Sequence, residues 1–141
     1  MDETSTRESP SATLRLAMKA NGSFSGLSGL GLILAAGRLG PALGVDRWVL
    51  IVIGVLLVMF AASLWRSATR VRVEPAEGRV AVWADGGWVV GSAVVVAAGP
   101  LTPWGNQLVG VVAVIVLAFA VWQHLGVRKL TDAARAPRST G

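Results

Sequence analysis

The stretch WVLIVIGVLLVMFAASLW, Trp48 to Trp65, decides the fold. It carries no charge, and only Gly54 and Ser63 interrupt its apolar run. As a helix it would be about 27 Å long, close to the ~30 Å hydrocarbon layer of a bilayer. A helix that is apolar on every face has no side to offer water. The tryptophan at each end suits the interface, where an indole ring stays dry and its N–H stays wet.

Three further stretches can be read outward from this one. Gln107 to Leu125 is apolar as far as Gln123 and His124. Ala20 to Ala36 carries Asn21, Ser23, Ser25 and Ser28 in its first half. Val80 to Ala98 contains Asp85 and the glycines Gly86, Gly87 and Gly91. The expectation is an all-α, polytopic membrane protein: a four-transmembrane-helix bundle over residues 14–125, with spans at about 20–36, 48–65, 80–98 and 107–125. Disordered tails are expected at 1–13 and, with a basic character, at 126–141.

Composition supports the same class. Of 141 residues 53% are hydrophobic and 15% charged, against ~25% charged in soluble domains. Mean hydropathy is +0.61. One soluble domain of this size would lack the polar residues to cover so apolar an interior, and a disordered chain would have the opposite bias. The absence of cysteine excludes disulfides, thiolate metal sites and a cysteine nucleophile.

The segment before the third span admits two readings. Arg70 to Glu74 and Arg79 to Trp83 alternate with a period of two around Pro75-Ala76-Glu77-Gly78, as a hairpin would. The same residues also read as a helix start, with proline first and an acid in the first turn. A hairpin entering lipid would leave backbone groups unpaired. The sequence therefore favours a helix from Pro75 to Ala98.

Orientation follows the basic residues, which cytoplasmic flanks retain. Arg7, Arg15 and Lys19 precede the first span; Arg66, Arg70, Arg72 and Arg79 lie between the second and third; Arg128, Lys129, Arg135 and Arg138 follow the fourth. Only Arg38 and Arg47 fall on the other side, so both termini are expected in the cytoplasm and the protein in the plasma (inner) membrane. Trp48 and Trp104 then mark the outer boundary, Trp65, Trp83 and Trp122 the inner one, and Trp88 lies deeper. The net charge of +5 is accounted for by basic flanks meeting anionic headgroups, with no nucleic-acid partner. Ala35-Ala36-Gly37 after an apolar run resembles a signal cleavage site, but the long, partly acidic leading region argues for a retained span.

Asp85 is the acid inside a span, a position that costs roughly 2.5 to 3.5 kcal/mol by insertion scales. It lies about 7 to 8 Å beyond Val80, in the inner leaflet. Lys19, Asn21, Ser63, Gln123 and His124 share that depth. Three readings follow. Asp85 and His124 form a proton-responsive pair; or Asp85 accepts hydrogen bonds from Asn21, Lys19 or Trp83 and sets helix register; or it meets a basic residue of another subunit. Gly22 to Gly26, extended by Gly29, and Gly87 to Gly91 are G-x-x-x-G patterns on two helices that run in the same direction. A close approach there would bring Asn21 toward Asp85. With one histidine and none of the hydrolase, kinase or zinc-protease motifs, the sequence offers no catalytic set, no metal site and no cofactor site.

Leu16 to Asn21, Phe24 to Gly29 and Asp85 to Ser92 resemble the corresponding segments of uncharacterised small bacterial four-span integral membrane proteins, over about Leu16 to Leu125. The preference for Arg over Lys and the abundance of Ala, Gly and Val resemble proteins of GC-rich bacteria. The resemblance implies four membrane helices and no particular activity. Small multidrug exporters are also similar in having four short spans, but their acid is in the first helix and this chain has no tyrosine. The functional expectation is a non-enzymatic structural, accessory or partner-binding membrane component, alone or as a homo-oligomer. The alternative is a small proton-coupled transporter or channel-like dimer that uses Asp85.

Overall fold

The structure, a computed structural model, describes residues 9–136. Its helices are α1 (Ala12–Leu43), α2 (Arg47–Thr69), α3 (Pro75–Ala98) and α4 (Pro103–Arg135), and the described residues contain no strand. This is the expected all-α four-helix bundle. Each helix is long and apolar enough to cross a membrane, and each turns large apolar side chains outward, among them Leu34, Met59, Val80 and Val114. That exposure suits lipid and would be costly in water.

The alternation around Pro75 is helical, not a hairpin. Glu74 is extended, Pro75 occupies the first turn with Glu77, and Arg70 donates to Glu77 Oε1 at 2.7 Å across the linker. Proline with fixed φ and no N–H costs nothing where the N–H has no helical partner. Gly44 and Gly99, both at positive φ, end α1 and α3.

The helices outrun the expected spans. Gly126 to Arg135 is helical and not a disordered tail, because this stretch has a face to bury: Val127 and Leu130 pack into the cluster of Leu14, Met18, Leu64, Ala68, Val73 and Ala81. The expected N-terminal tail falls mainly on residues 1–8, which lie outside the described residues, as do 137–141; Ala12 and Thr13 already belong to α1.

That apolar cluster joins all four helices at the end where α1 begins and α4 finishes. At the opposite end Thr102 closes the loops: its N–H donates to Leu43 O at 3.1 Å, its hydroxyl donates to Ala42 O at 2.7 Å, and its Oγ1 accepts from Gly105 N at 3.1 Å. Between these ends α1 packs along α2, α3 along α4, and α1 on α4, while α2 and α3 hardly touch. The bundle is therefore open along one side.

The glycine motifs pack differently from the expectation. Gly22, Gly26 and Gly29 face α2, not α3: a Cβ would stand 2.8 Å from Trp65 at Gly22 and 2.6 Å from Gly54 O at Gly29. A Cβ at Gly87 or Gly91 would meet no other helix within 4 Å. A short loop makes α1 and α2 antiparallel neighbours over their whole length, and this satisfies the small face of α1 before α3 can reach it.

Candidate polar site inside the bundle

The site begins with Asn21 on the inward face of α1, one turn before Ser25. Ser25 donates its hydroxyl to Asn21 Oδ1 at 3.1 Å, and Asn21 donates from Nδ2 to Asp85 Oδ2 at 2.7 Å. All three side chains are buried, with Asn21 fully enclosed and Asp85 4% exposed. The carboxylate is thus the last acceptor of a short chain that ties α1 to α3 across the bundle. These helices otherwise make few contacts, so the Asn21–Asp85 bond is the principal link between them at this level.

Gln123 on α4 completes the cluster. It is fully buried, its carboxamide approaches Asp85, and neither of its polar atoms makes a hydrogen bond within 3.5 Å. His124, the neighbour that the sequence singled out, is exposed. Lys19 sits with its ammonium 5.9 Å from the centre of the Trp65 ring and makes no ion pair with Asp85. Of the polar candidates, the structure brings Asn21 to Asp85 and leaves His124 and Lys19 elsewhere. Gln123 was legible in principle: the buried positions Val116, Ala120, Gln123 and Val127 follow helical spacing, which points to 123 and not 124.

Asp85 also lines a cavity of about 250 Å³ with Phe24, Ser25, Leu57, Trp88 and Val116. A second cavity, of about 550 Å³, shares Ala84 and Trp88 with it and continues past Gly91 and Val95 toward Leu101. Both have walls from α2 and from α3, and the exposed residues Leu56, Ala84 and Gly87 stand at their rims. Together they form the open side of the bundle. Asp85 Oδ1 accepts no hydrogen bond within 3.5 Å from a described residue, although the Gln123 carboxamide lies near the carboxylate, and Trp88 Nε1 is enclosed without a partner. Among the described residues no three His, Asp or Glu side chains converge as a metal site would require.

The chain matches no family model, no curated protein and no solved structure. One acid, two amides and a hydroxyl can hold register, accept a cation or exchange a proton; they supply no nucleophile with an adjacent base.

Proposed function

We propose that this is a non-enzymatic integral membrane protein that serves as a structural or accessory component of the plasma membrane, with both termini cytoplasmic. The supporting observation is the buried hydrogen bond from Asn21 Nδ2 to Asp85 Oδ2 at 2.7 Å. A polar pair at this depth costs insertion energy, and it is retained where it fixes which helices meet and at what height. The pair fixes α1 against α3 while leaving the outward apolar faces free to meet lipid, a second copy or another membrane protein.

The test is substitution at Asp85. Asp85→Asn keeps an oxygen that accepts from Asn21, so the protein should insert, fold and run as a single species in gel filtration. Asp85→Leu leaves Asn21 Nδ2 unpaired and should lose about 1 to 3 kcal/mol in a denaturant titration in mixed micelles. Failure of Asp85→Asn to fold, with Asp85→Leu no worse, would overturn the clamp.

A second reading, a small proton-coupled transporter or channel-like dimer, is favoured by one observation: the carboxylate also lines a cavity open along α2 and α3. Proteoliposomes given a pH step distinguish the two. Proton flux above protein-free vesicles, lost in a well-folded Asp85→Asn, would put transport first. Flux equal to that of empty vesicles leaves the scaffold.

A further inference from the structure

The crevice between α2 and α3 has chemistry that register alone does not require. Its walls are apolar apart from Asp85, the hydroxyls of Ser25, Ser28 and Ser92, and the indole N–H of Trp88. It is elongated: from Asp85 to Val95 it runs about 15 Å along α3, and it continues toward Leu101. It opens sideways, toward the region that lipid chains would occupy. Asp85 lines this space, only its Oδ2 accepts a hydrogen bond within 3.5 Å among the described residues, and no basic residue lines either cavity. Among the described residues the ion pair is Arg70–Glu77, so Asp85 has no cation of its own.

We propose that this crevice binds an amphiphile with an ammonium head and an apolar chain, the head at Asp85 Oδ1 and the chain running past Ala84 and Trp88 toward Val95. The charge of the head complements the unpaired carboxylate, and an N–H donor uses the acceptor that Asn21 leaves free. An anionic amphiphile would bring a second negative charge to a buried acid. A neutral one would give Asp85 no counter-charge. An apolar chain is solvated by lipid about as well as by a leucine-lined wall, so selection falls on the head, at Asp85. The walls place no demand on the chain beyond length, and about a dozen carbons cover the distance from Asp85 to Val95. Such a head occurs on free long-chain amines and on aminophospholipids, which share this chemistry.

The proposal is independent of the clamp, because Asp85→Asn preserves the bond with Asn21 and removes the charge. The experiment is native mass spectrometry of the full chain released from maltoside micelles, with dodecylammonium, dodecanoate, dodecanol or phosphatidylethanolamine added in turn. One dodecylammonium or one phosphatidylethanolamine should be retained per chain, and the mass of the adduct identifies which source fits. Dodecanoate and dodecanol should be lost. Asp85→Asn, checked for fold by circular dichroism, should retain the ammonium probe about tenfold less or worse, as expected for one charge-assisted hydrogen bond. Ala84→Phe, at an exposed rim position shared by both cavities, should block retention with the Asn21–Asp85 bond intact. It keeps the question decidable if Asp85→Asn does not fold. Equal retention of dodecanol, unchanged retention in both variants, or a dimer that no amine disturbs would overturn the proposal. The last outcome would assign the carboxylate to a second copy of the chain.

Discussion

Asn21, Gln123 and His124 share a depth in the bundle but differ in what removal should cost. Asn21 both accepts from Ser25 and donates to Asp85. Asn21→Leu should therefore destabilise by about 1 to 3 kcal/mol, since it strips a buried carboxylate of its donor. Gln123 has no hydrogen bond within 3.5 Å, yet its carboxamide approaches Asp85, so Gln123→Leu should cost less than Asn21→Leu, within about 1 kcal/mol of wild type, because the loss of a distant amide is offset by packing. His124→Gln should stay within about 0.5 kcal/mol of wild type, as exposed substitutions do. Denaturant titration of the three variants in one micelle system measures this order, and a large loss at His124 would contradict the placement described above. Asp85 and Asn21 were legible in the sequence because polar groups stand out in apolar runs. Gln123 was eclipsed by a titratable neighbour, and only the helical phase of α4, anchored by Val116 and Ala120, separates the two.

At the scale of elements, the same small-residue pattern has two outcomes. On α1 it is used: Gly29 and Gly54 are so close that a Cβ on either would stand 2.6 Å from the other's carbonyl oxygen. Gly54→Val should push α1 from α2 and cost about 1 to 3 kcal/mol, as overpacking does. On α3 it is not used among the described residues, since a Cβ at Gly91 would meet no other helix within 4 Å. Gly91→Ala should stabilise α3 by about 0.5 to 1 kcal/mol, the ordinary gain of alanine over glycine in a helix. Loss of stability in the monomeric protein would show that α3 packs more closely than described. A motif in sequence shows where backbones can approach, not which helix fills the place; the loop connecting α1 to α2 made that choice. Helix ends were similarly half legible. Pro75 and Glu77 announced the start of α3, whereas the last turns of α4 depend on Val127 and Leu130 finding Leu14, a contact no local pattern reveals. Arg15 is another such contact, donating to Ala68 O, Arg70 O and Val71 O and so closing the carbonyl end of α2.

For the whole molecule, even helix number and antiparallel neighbours put the start of α1 and the finish of α4 at one end. There Leu14 packs on Gly126, and Lys129 Nζ lies 3.4 Å from Thr13 Oγ1. Nine of the eleven basic residues among the described residues belong to that end or its flanks. Carrying so many across a membrane is the less favourable insertion, so this end should face the cytoplasm. The absence of cysteine makes the prediction easy to test, since any introduced thiol is the only one. In intact cells a membrane-impermeant maleimide should label Pro100→Cys, in the exposed α3–α4 loop. It should reach Ser9→Cys and Ala76→Cys only after permeabilisation. Asp85 lies about 15 Å along α3 from Pro75, so this topology sets the carboxylate nearer the cytoplasmic face and makes the α2–α3 crevice run outward from it. The opposite labelling pattern would reverse that direction. It would also require the basic flanks to have been translocated, and the headgroup contacts proposed for them would then belong to the other leaflet.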